Sequence, residues 1–241
     1  MSVSPIKTAM ILAAGRGERM RPLTDSTPKP LLQVAGKSLI EWHLEKLVTA
    51  GFQRAIVNLH WLGEQIEEAL GDGQRFGIEL IYSKENPVLE TAGGITKALP
   101  HLTAKNEEAF LVVNGDVWSD IDYSELCQQA MAILGAGNST EDRAVLVMVD
   151  NPKHNPKGDF VLSDHRLVNV EGKPCLTYSG IGIYRPTLFS GLAVEPKPLG
   201  PILREAIHQD KLAGIHHQGL WSDVGTPERL EQLNQYLQEG R

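Results

Sequence analysis

The chain has 241 residues, of which 41% are hydrophobic and 22% are charged, as in an ordinary globular protein. Its formal net charge of −7 argues against nucleic-acid binding, which usually needs a strongly basic surface. No apolar run is long enough to span a bilayer, and residues 1–8 lack the apolar core of a signal peptide. We therefore expect a cytoplasmic protein with no nucleic-acid or membrane partner.

Short apolar runs alternate with segments of helical periodicity in the first part of the chain. The capping-box pattern that opens at Ser38 predicts the start of a helix, and Gly51 predicts its end. The alternation of strand and helix predicts an α/β fold with a doubly wound, mostly parallel sheet. The other predicted strands cover 9–14, 55–59, 78–82, 109–114 and 144–149, and the other helices cover 63–70, 91–99 and 123–133.

The pattern changes in the second part of the chain. Strands at 160–162, 167–170 and 177–184 follow one another without helices, which predicts a small antiparallel insertion. A helix at 200–209, strands at 212–217 and 220–222, and a helix at 227–238 follow. The segment 135–140 is rich in glycine and polar residues and is interpreted as a surface loop. Because no repeat or linker divides the chain, we predict a single domain over 1–241.

A glycine-rich loop with basic residues follows the first strand. Its sequence LAAGRGERM, residues 12–20, offers backbone N–H groups without obstructing side chains, and Arg16, Arg19 and Lys29 supply positive charge. Ligands of parallel α/β sheets bind beyond the carboxyl ends of the strands. The loop therefore predicts a polyphosphate site at this edge of the sheet.

Three kinds of phosphate-binding loop were compared with this segment. Nothing in it matches the G-x-x-x-x-G-K-[ST] pattern of a P-loop. A dinucleotide-binding loop needs a third glycine for close helix–strand packing, and Met20 stands in that place. A loop that wraps a nucleoside triphosphate with backbone amides and basic side chains is the remaining interpretation.

Two aspartates come at the ends of predicted strands. Asp116 follows the apolar strand that ends in Asn114-Gly115, and Asp223 follows Trp221-Ser222. Such carboxylates face the expected ligand crevice, and a pair of them can hold Mg²⁺ together with substrate phosphates. Asp120 and Asp122 are interpreted as helix-capping and surface charges. The stretch Asn58-Leu59-His60 is interpreted as structural.

These motifs carry a resemblance to a known family. The segments L-A-A-G-x-G-x-R-M, P-L-T, P-K-P-L, G-D and W-x-D-V-G-T resemble the sugar-phosphate nucleotidylyltransferases. The resemblance implies a Rossmann-like nucleotidyltransferase fold in which Arg19 and Lys29 neutralise phosphate charge and Asp116 and Asp223 bind Mg²⁺. The expected nucleotide-binding residues are Leu12, Ala13, Ala14, Gly15, Gly17, Glu85 and Gly93. The expected sugar-binding residues are Asn155, Gly158, Glu171 and Gly180.

The implied reaction is nucleotidyl transfer to a sugar 1-phosphate with release of pyrophosphate. The combination of L-E-T-A-G-G with H-N-P-K-G-D-F is most similar to the branch that transfers uridylyl from UTP to N-acetylmuramate α-1-phosphate in bacterial cell-wall recycling. A mannose-1-phosphate guanylyltransferase-like enzyme is the nearest alternative, because Glu85 suits either uracil or guanine. A catalytically dead nucleotide-sugar sensor and an NAD-dependent oxidoreductase are the alternatives from other classes. The sequence leaves the oligomeric state open.

Overall fold

The computed structural model describes residues 6–105, 107–135, 143–170 and 172–240. In chain order its strands are β1 Thr8–Leu12, β2 Gln33–Val34, β3 Lys37–Ser38, β4 Arg54–Leu59, β5 Glu79–Lys84, β6 Phe110–Asn114, β7 Val117–Ser119, β8 Ala144–Val149, β9 Val161–Ser163, β10 Arg166–Val168, β11 Thr177–Tyr184, β12 Leu212–His217 and β13 Trp221–Asp223. Its α-helices are α1 Leu23–Ser26, α2 Leu39–Thr49, α3 Gly63–Leu70, α4 Glu90–Leu102, α5 Tyr123–Gly135, α6 Leu199–His208 and α7 Pro227–Glu239.

Nine strands form one twisted sheet in the order β5-β4-β1-β6-β11-β8-β12-β10-β9. The neighbouring strands β5, β4, β1 and β6 are mutually parallel, and β8 is parallel to β12. β11 is antiparallel to both of its neighbours, and β9 and β10 form an antiparallel hairpin at the edge. The predicted mixed, mostly parallel α/β sheet is confirmed.

The predicted antiparallel segment is built into this main sheet. β11 lies between β6 and β8, where both of its faces are covered, and seven of its eight residues are buried. The hairpin of β9 and β10 continues the sheet beyond β12. Two smaller antiparallel ladders join β2 to β3 and β7 to β13. The sequence showed the strands but not their order, because order depends on contacts far apart in the chain.

Helices cover both faces of the sheet. Ala9 and Ile11 of β1 join the apolar cluster that contains α2, α3 and α5, whereas Met10 points to the cluster that contains α4 and α6. Successive strand residues face opposite sides, so a strand covered on both faces is apolar throughout. This arrangement is the doubly wound architecture that the sequence predicted.

The order of the parallel strands reverses beside β1. From β1 the chain passes to β4 and β5 on one side, whereas β6 lies on the other side. Connections that leave in opposite directions open a crevice beyond the carboxyl ends of the two central strands. The loops after Leu12 and Asn114, which pair across β1 and β6, border that crevice.

The helix ends follow their sequence signals. Ser38 Oγ accepts a hydrogen bond from Glu41 N at 3.4 Å, and Glu41 Oε2 accepts one from Ser38 N at 2.9 Å, which completes the predicted capping box. Thr226 Oγ1 accepts one from Arg229 N at 3.3 Å and caps α7. Of the predicted 135–140 loop, only Gly135 lies within the described residues, as the last residue of α5. In the described part of the chain no helix has the length and apolarity required to cross a membrane. The single domain over 1–241 stays a prediction.

His43 makes the stability of the fold depend on pH. Its side chain is buried in α2, with Nδ1 3.0 Å from the hydroxyl oxygen of Tyr123, and burial with the charge of Lys46 lowers its pKa to about 4. The unfolded chain takes up this proton near the ordinary value of 6.5, so stability falls as the pH drops from about 6.5 to about 4. We expect a loss of up to about 3 kcal/mol in urea unfolding over this window. The variant His43→Gln should flatten that slope, and an unchanged slope would contradict the assignment.

Candidate active site

A cavity of about 510 Å³ lies in the crevice beside β1 and β6. Its walls come from the loop after β1, the loop after β6, the ends of β4 and β5, and the start of α4. The residues that line it are Leu12, Ala13, Ala14, Gly15, Gly17, Glu18, Arg19, Lys29, Pro30, Asn58, Glu85, Val88, Glu90, Thr91, Asn114, Asp116 and Gly225. The cavity therefore brings together most of the nucleotide and phosphate residues that the sequence predicted.

The loop after β1 is held by its second glycine and by Met20. Gly17 has a φ of 67°, and a Cβ there would lie 3.1 Å from Thr24 Cγ2 and 3.3 Å from Lys29 Cβ. Thr24 Oγ1 donates to Gly17 O at 2.8 Å. Met20 is fully buried in a small apolar cluster with Leu39 and others, at the end of a short 3-10 helix. The residue that replaces the third glycine of a dinucleotide-binding loop thus anchors the loop to the core.

Two of the three predicted cations face the cavity. Lys29 Nζ forms an ion pair with Asp116 Oδ2, with the lysine side chain nearly buried. Arg19 lines the cavity, and its Nη2 is 3.3 Å from where a Cβ on Gly225 would lie. Arg16 instead stacks on Trp61, with its guanidinium carbon 4.4 Å from the ring centroid. The cavity therefore combines the positive charges of Arg19 and Lys29 with the carboxylates of Glu18, Glu85, Glu90 and Asp116.

The segments that carry the two aspartates lie side by side. In the ladder between β7 and β13, Asp223 pairs with Val117, and Val224 N donates to Asp116 O at 2.8 Å. Asp223 Oδ1 accepts a hydrogen bond from Arg229 Nη1 at 2.5 Å. The same oxygen lies 3.1 Å from Nε2 of His154. Asp223 is thus held by two side chains that the sequence did not single out.

Arg229 could have been found from the last helix. Thr226 caps α7, and the first turn of a helix brings the residue three positions later back toward the cap. A Cβ on Gly225 would lie 2.2 Å from Arg229 Nη2, so the glycine makes room for this guanidinium. His154 was noted only as the first residue of the H-N-P-K-G-D-F segment, and its contact with Asp223 was not predicted because the two residues are distant in the chain.

The two carboxylates fit a magnesium ion that is completed by a substrate. Hydrogen bonds and ion pairs between described residues use Oδ2 of Asp116 and Oδ1 of Asp223, which leaves one oxygen on each. Within the described ranges no group of three or more His, Cys, Asp or Glu residues could hold a metal. Mg²⁺ commonly uses one or two carboxylates and takes its other ligands from water and substrate phosphates. The donor set therefore suits such an ion but not a metal enclosed by protein.

A buried polar chain joins the ends of three parallel strands. Asn58 Oδ1 accepts from Ala13 N at 2.7 Å, and Asn58 Nδ2 donates to Glu85 Oε1 at 2.7 Å. Glu85 Oε2 accepts from Leu89 N at 2.8 Å, and the side chains of Asn58 and Glu85 are buried. Asn58 also lines the cavity, so the residue interpreted as structural in fact belongs to the site wall. The structure uses both Glu85 oxygens to hold the fold, and its contact with the base stays a prediction.

Gly93 and Gly94 have different surroundings. Gly93 N donates to Lys197 O at 3.2 Å, and a Cβ on Gly93 would lie 2.1 Å from Glu195 O. Gly93 therefore packs closely against residues 195–197 and does not line the cavity, and its contact with the nucleotide stays a prediction. A Cβ on Gly94 would lie 2.5 Å from Glu85 Oε1. Gly94 thus makes room for the carboxylate of the polar chain.

A second cavity of about 350 Å³ adjoins the first and shares Glu90, Thr91 and Asn114 with it. Gly180, one of the predicted sugar-binding residues, faces this shared wall. Its φ is 79°, and a Cβ there would lie 2.5 Å from Asn114 Nδ2. Gly180 therefore acts by allowing Asn114 to approach β11.

Asn155 and Gly158, two further predicted sugar-binding residues, do not line either cavity. Gly158 N donates to Asn155 O at 3.1 Å, and Asn155 Nδ2 donates to Thr177 Oγ1 at 3.2 Å, so both residues stabilise a turn before β9. Their neighbours Asp159 and Tyr178 line the second cavity instead. The turn thus places Asp159, the residue after Gly158, in the wall of the second cavity. The spacing of residues in the sequence does not show this. Glu171 lies outside the described residues.

Replacing Gly94 tests the polar chain. In Gly94→Ala the new methyl group displaces the Glu85 carboxylate, which loosens its bond to Asn58 and the position of Ala13. We expect about a 10-fold loss or more of nucleotide affinity in a calorimetric titration, the scale of a disturbed buried hydrogen bond to a charged group. Gly135→Ala is the matched control, because no atom lies within 4 Å of its added Cβ. Equal affinity in the two variants would show that the chain does not shape the cavity.

Comparisons with known proteins agree with this geometry. The chain matches the nucleotidyl transferase family over residues 8–240. It is 52% identical over 228 residues to the N-acetylmuramate alpha-1-phosphate uridylyltransferase of Neisseria meningitidis serogroup B, covering 93% of this chain and 95% of that protein. It is 34% identical over 239 residues to the uridylyltransferase of the same name from Caulobacter vibrioides, covering 95% of each. Mannose-1-phosphate guanylyltransferase catalytic subunit beta of Drosophila melanogaster is 34% identical over 91% of this chain and 59% of that protein.

A solved structure shows the same fold at low sequence identity. HddC from Yersinia pseudotuberculosis superimposes with a TM-score of 0.78 at 19% identity, over 96% of this chain and 100% of that one. At this identity the likeness concerns the fold alone. The family match and the sequence relatives are the stronger evidence, and by them the chain belongs to the nucleotidyl transferase family.

Proposed function

We propose that this chain transfers a uridylyl group from UTP to N-acetylmuramate α-1-phosphate and releases pyrophosphate. The observation that carries the proposal is the convergence of Arg19, Lys29 and Asp116 on a cavity walled by the amide-rich loop 12–17. The substrates come from the relatives in Neisseria meningitidis and Caulobacter vibrioides, which are named for this reaction and align over nearly their full lengths. We place the reaction in the cytoplasm, in the reuse of bacterial cell-wall sugars.

The site supports an in-line displacement. An oxygen of the sugar 1-phosphate attacks the α-phosphorus of UTP, the bond from that phosphorus to the bridging oxygen breaks, and its electron pair leaves with pyrophosphate. No general base is needed, because the second pKa of a phosphate monoester is about 6 and the attacking group is largely ionised at neutral pH. Arg19 and Lys29 stabilise the charge that develops on the phosphates.

We further propose that Asp116 and Asp223 would hold Mg²⁺. When bound, the ion would supply positive charge that offsets the negative charge of the phosphates. Lys29 and Arg229 orient the aspartates through the ion pairs described above. Each aspartate keeps one oxygen for a cation, which supports the assignment.

The reaction is tested by pyrophosphate release from the full chain with Mg²⁺. UTP, GTP and dTTP are each paired with the 1-phosphates of N-acetylmuramate, N-acetylglucosamine, glucose and mannose. We expect the highest kcat/KM for UTP with N-acetylmuramate α-1-phosphate. A preference for GTP with mannose 1-phosphate would instead favour a guanylyltransferase, and a complete lack of turnover would favour a nucleotide-sugar sensor.

The aspartates are tested by Asp116→Asn and Asp223→Asn, which keep the size of each side chain and remove its charge. We expect each to lower kcat by about 100-fold or more, the scale for removing one group that stabilises transition-state charge. Asp210→Asn is the matched control, since this exposed residue pairs with Arg166 at the far edge of the sheet. Full activity in Asp116→Asn would overturn the metal assignment.

A further inference from the structure

The segment that carries Asp116 leaves the main sheet and pairs elsewhere. Beyond β6 the chain turns at Gly115 and forms the short strand β7, which pairs in antiparallel orientation with β13. In this ladder Val117 lies opposite Asp223, and Val224 N donates to Asp116 O at 2.8 Å. The separation of the two aspartates therefore depends on how this two-stranded ladder is held against the rest of the protein.

Lys46 of α2 holds the far end of β7. Its Nζ donates a hydrogen bond to Ile121 O at 3.0 Å and another to Ser119 O. The ammonium group lies 5.8 Å from the centroid of the Trp118 ring and 5.4 Å from that of the Tyr123 ring. One lysine thus binds the end of β7 and the chain that leads into α5.

The charge of Lys46 is partly removed from water to make these contacts. Burial lowers the pKa of Lys46 to about 8, although the charges of Asp120 and Asp122 raise it. At neutral pH the amino group is therefore still mostly protonated. Because a charged donor forms stronger hydrogen bonds than a neutral one, the ammonium group holds its two carbonyl acceptors firmly.

Helix α2 is a rigid support for this contact. Ile40 and Leu44 are fully buried in the main apolar cluster, and the capping box fixes the start of the helix. His43 lies three positions before Lys46, so the two side chains share a face of the helix. His43 is itself buried, with Nδ1 3.0 Å from the hydroxyl oxygen of Tyr123. This face of α2 therefore carries two polar contacts to the segment that follows Asp116.

We propose that Lys46 is a positioning residue for the metal site, because its hold on the end of β7 sets the place of Asp116 relative to Asp223. The inference rests on the proposed function, in particular on the assignment of Mg²⁺ to these aspartates. Lys46 lines neither cavity, so it acts through the ladder of β7 and β13. Release of this end of the ladder would let the two carboxylates shift relative to each other.

The role is tested by steady-state kinetics in Lys46→Met, which keeps much of the length of the side chain and removes its charge and donors. We expect kcat to fall and the Mg²⁺ concentration for half-maximal rate to rise, each by about 10-fold, the scale for losing hydrogen bonds from a charged donor. KM for UTP at saturating Mg²⁺ should stay within about 3-fold, because the cavity wall is unchanged. Lys46→Arg keeps the charge and the donors and should recover most of the activity. An unchanged Mg²⁺ dependence in Lys46→Met would overturn the proposal.

Lys37→Met is the matched control. Lys37 also lies over a tryptophan, with Nζ 4.8 Å from the centroid of the Trp42 ring, but its ion pair is with the exposed side chain of Glu45. This variant removes the same charge from the neighbourhood of the same helix without loosening β7. It should therefore keep the Mg²⁺ dependence of the unmodified chain.

Hydrogen exchange measured by mass spectrometry separates this proposal from the proposed function. In Lys46→Met we expect the amides of 117–121 and 221–224 to exchange about 10-fold faster or more, whereas β1 and β4 keep their protection and show that the chain is folded. Lys46→Gln gives the same comparison should Lys46→Met not fold. Faster exchange confined to these segments would support the positioning role even if the chain turned over no substrate. Unchanged exchange there would overturn it even if the reaction and its need for Mg²⁺ were established.

Discussion

The hydrogen bonding of β1 on both of its edges is the constraint from which the site follows. β1 pairs in parallel with β4 and β6, and the ladders reach Leu12, its last residue. The next amide, Ala13 N, leaves the ladder and is bonded by Asn58, because a buried N–H without a partner costs free energy. Since β4 and β6 lie on opposite sides of β1, the chain beyond this point borders an open crevice.

The charges of the crevice are arranged in pairs that a substrate can reorganise. Lys29 contacts Asp116 and Arg229 contacts Asp223, so each carboxylate is partly neutralised before any ligand arrives. Burying the charge of Lys29 without a counterion would cost free energy. The ion pair with Asp116 therefore also stabilises the position of Lys29 beside the loop. Under the proposed function, phosphates that enter this region would meet cations that are already oriented.

Local signals in the sequence predicted the helices α2 to α7, the nine strands of the main sheet, β13 and the loop after β1, because caps, glycines and periodicity act over a few residues. The short elements β2, β3, β7 and α1 were not predicted. The capping box at Ser38 is one confirmed case. The sequence did not predict that β11 lies inside the main sheet or that Arg229 and His154 hold Asp223, because those contacts depend on strand order. It also gave no sign that Gly93 packs against the carbonyl of Glu195, a residue distant in the chain. The roles of the two aspartates stay predictions. Asn58, which the sequence indicated as structural, holds Ala13 and Glu85 by hydrogen bonds and also lines the cavity, which its neutral side chain did not indicate.

The role of Lys29 in binding the nucleotide phosphates is tested most directly by calorimetric titration of UTP with Mg²⁺ into the unmodified chain and Lys29→Met. Methionine keeps much of the length of the side chain and removes its charge, and circular dichroism verifies that the variant is folded. If the cavity binds the triphosphate through this lysine, we expect Lys29→Met to lose about 10- to 100-fold in UTP affinity, the scale of a charge-assisted hydrogen bond. Unchanged UTP affinity in the folded variant would contradict the placement of the nucleotide between β1 and β6.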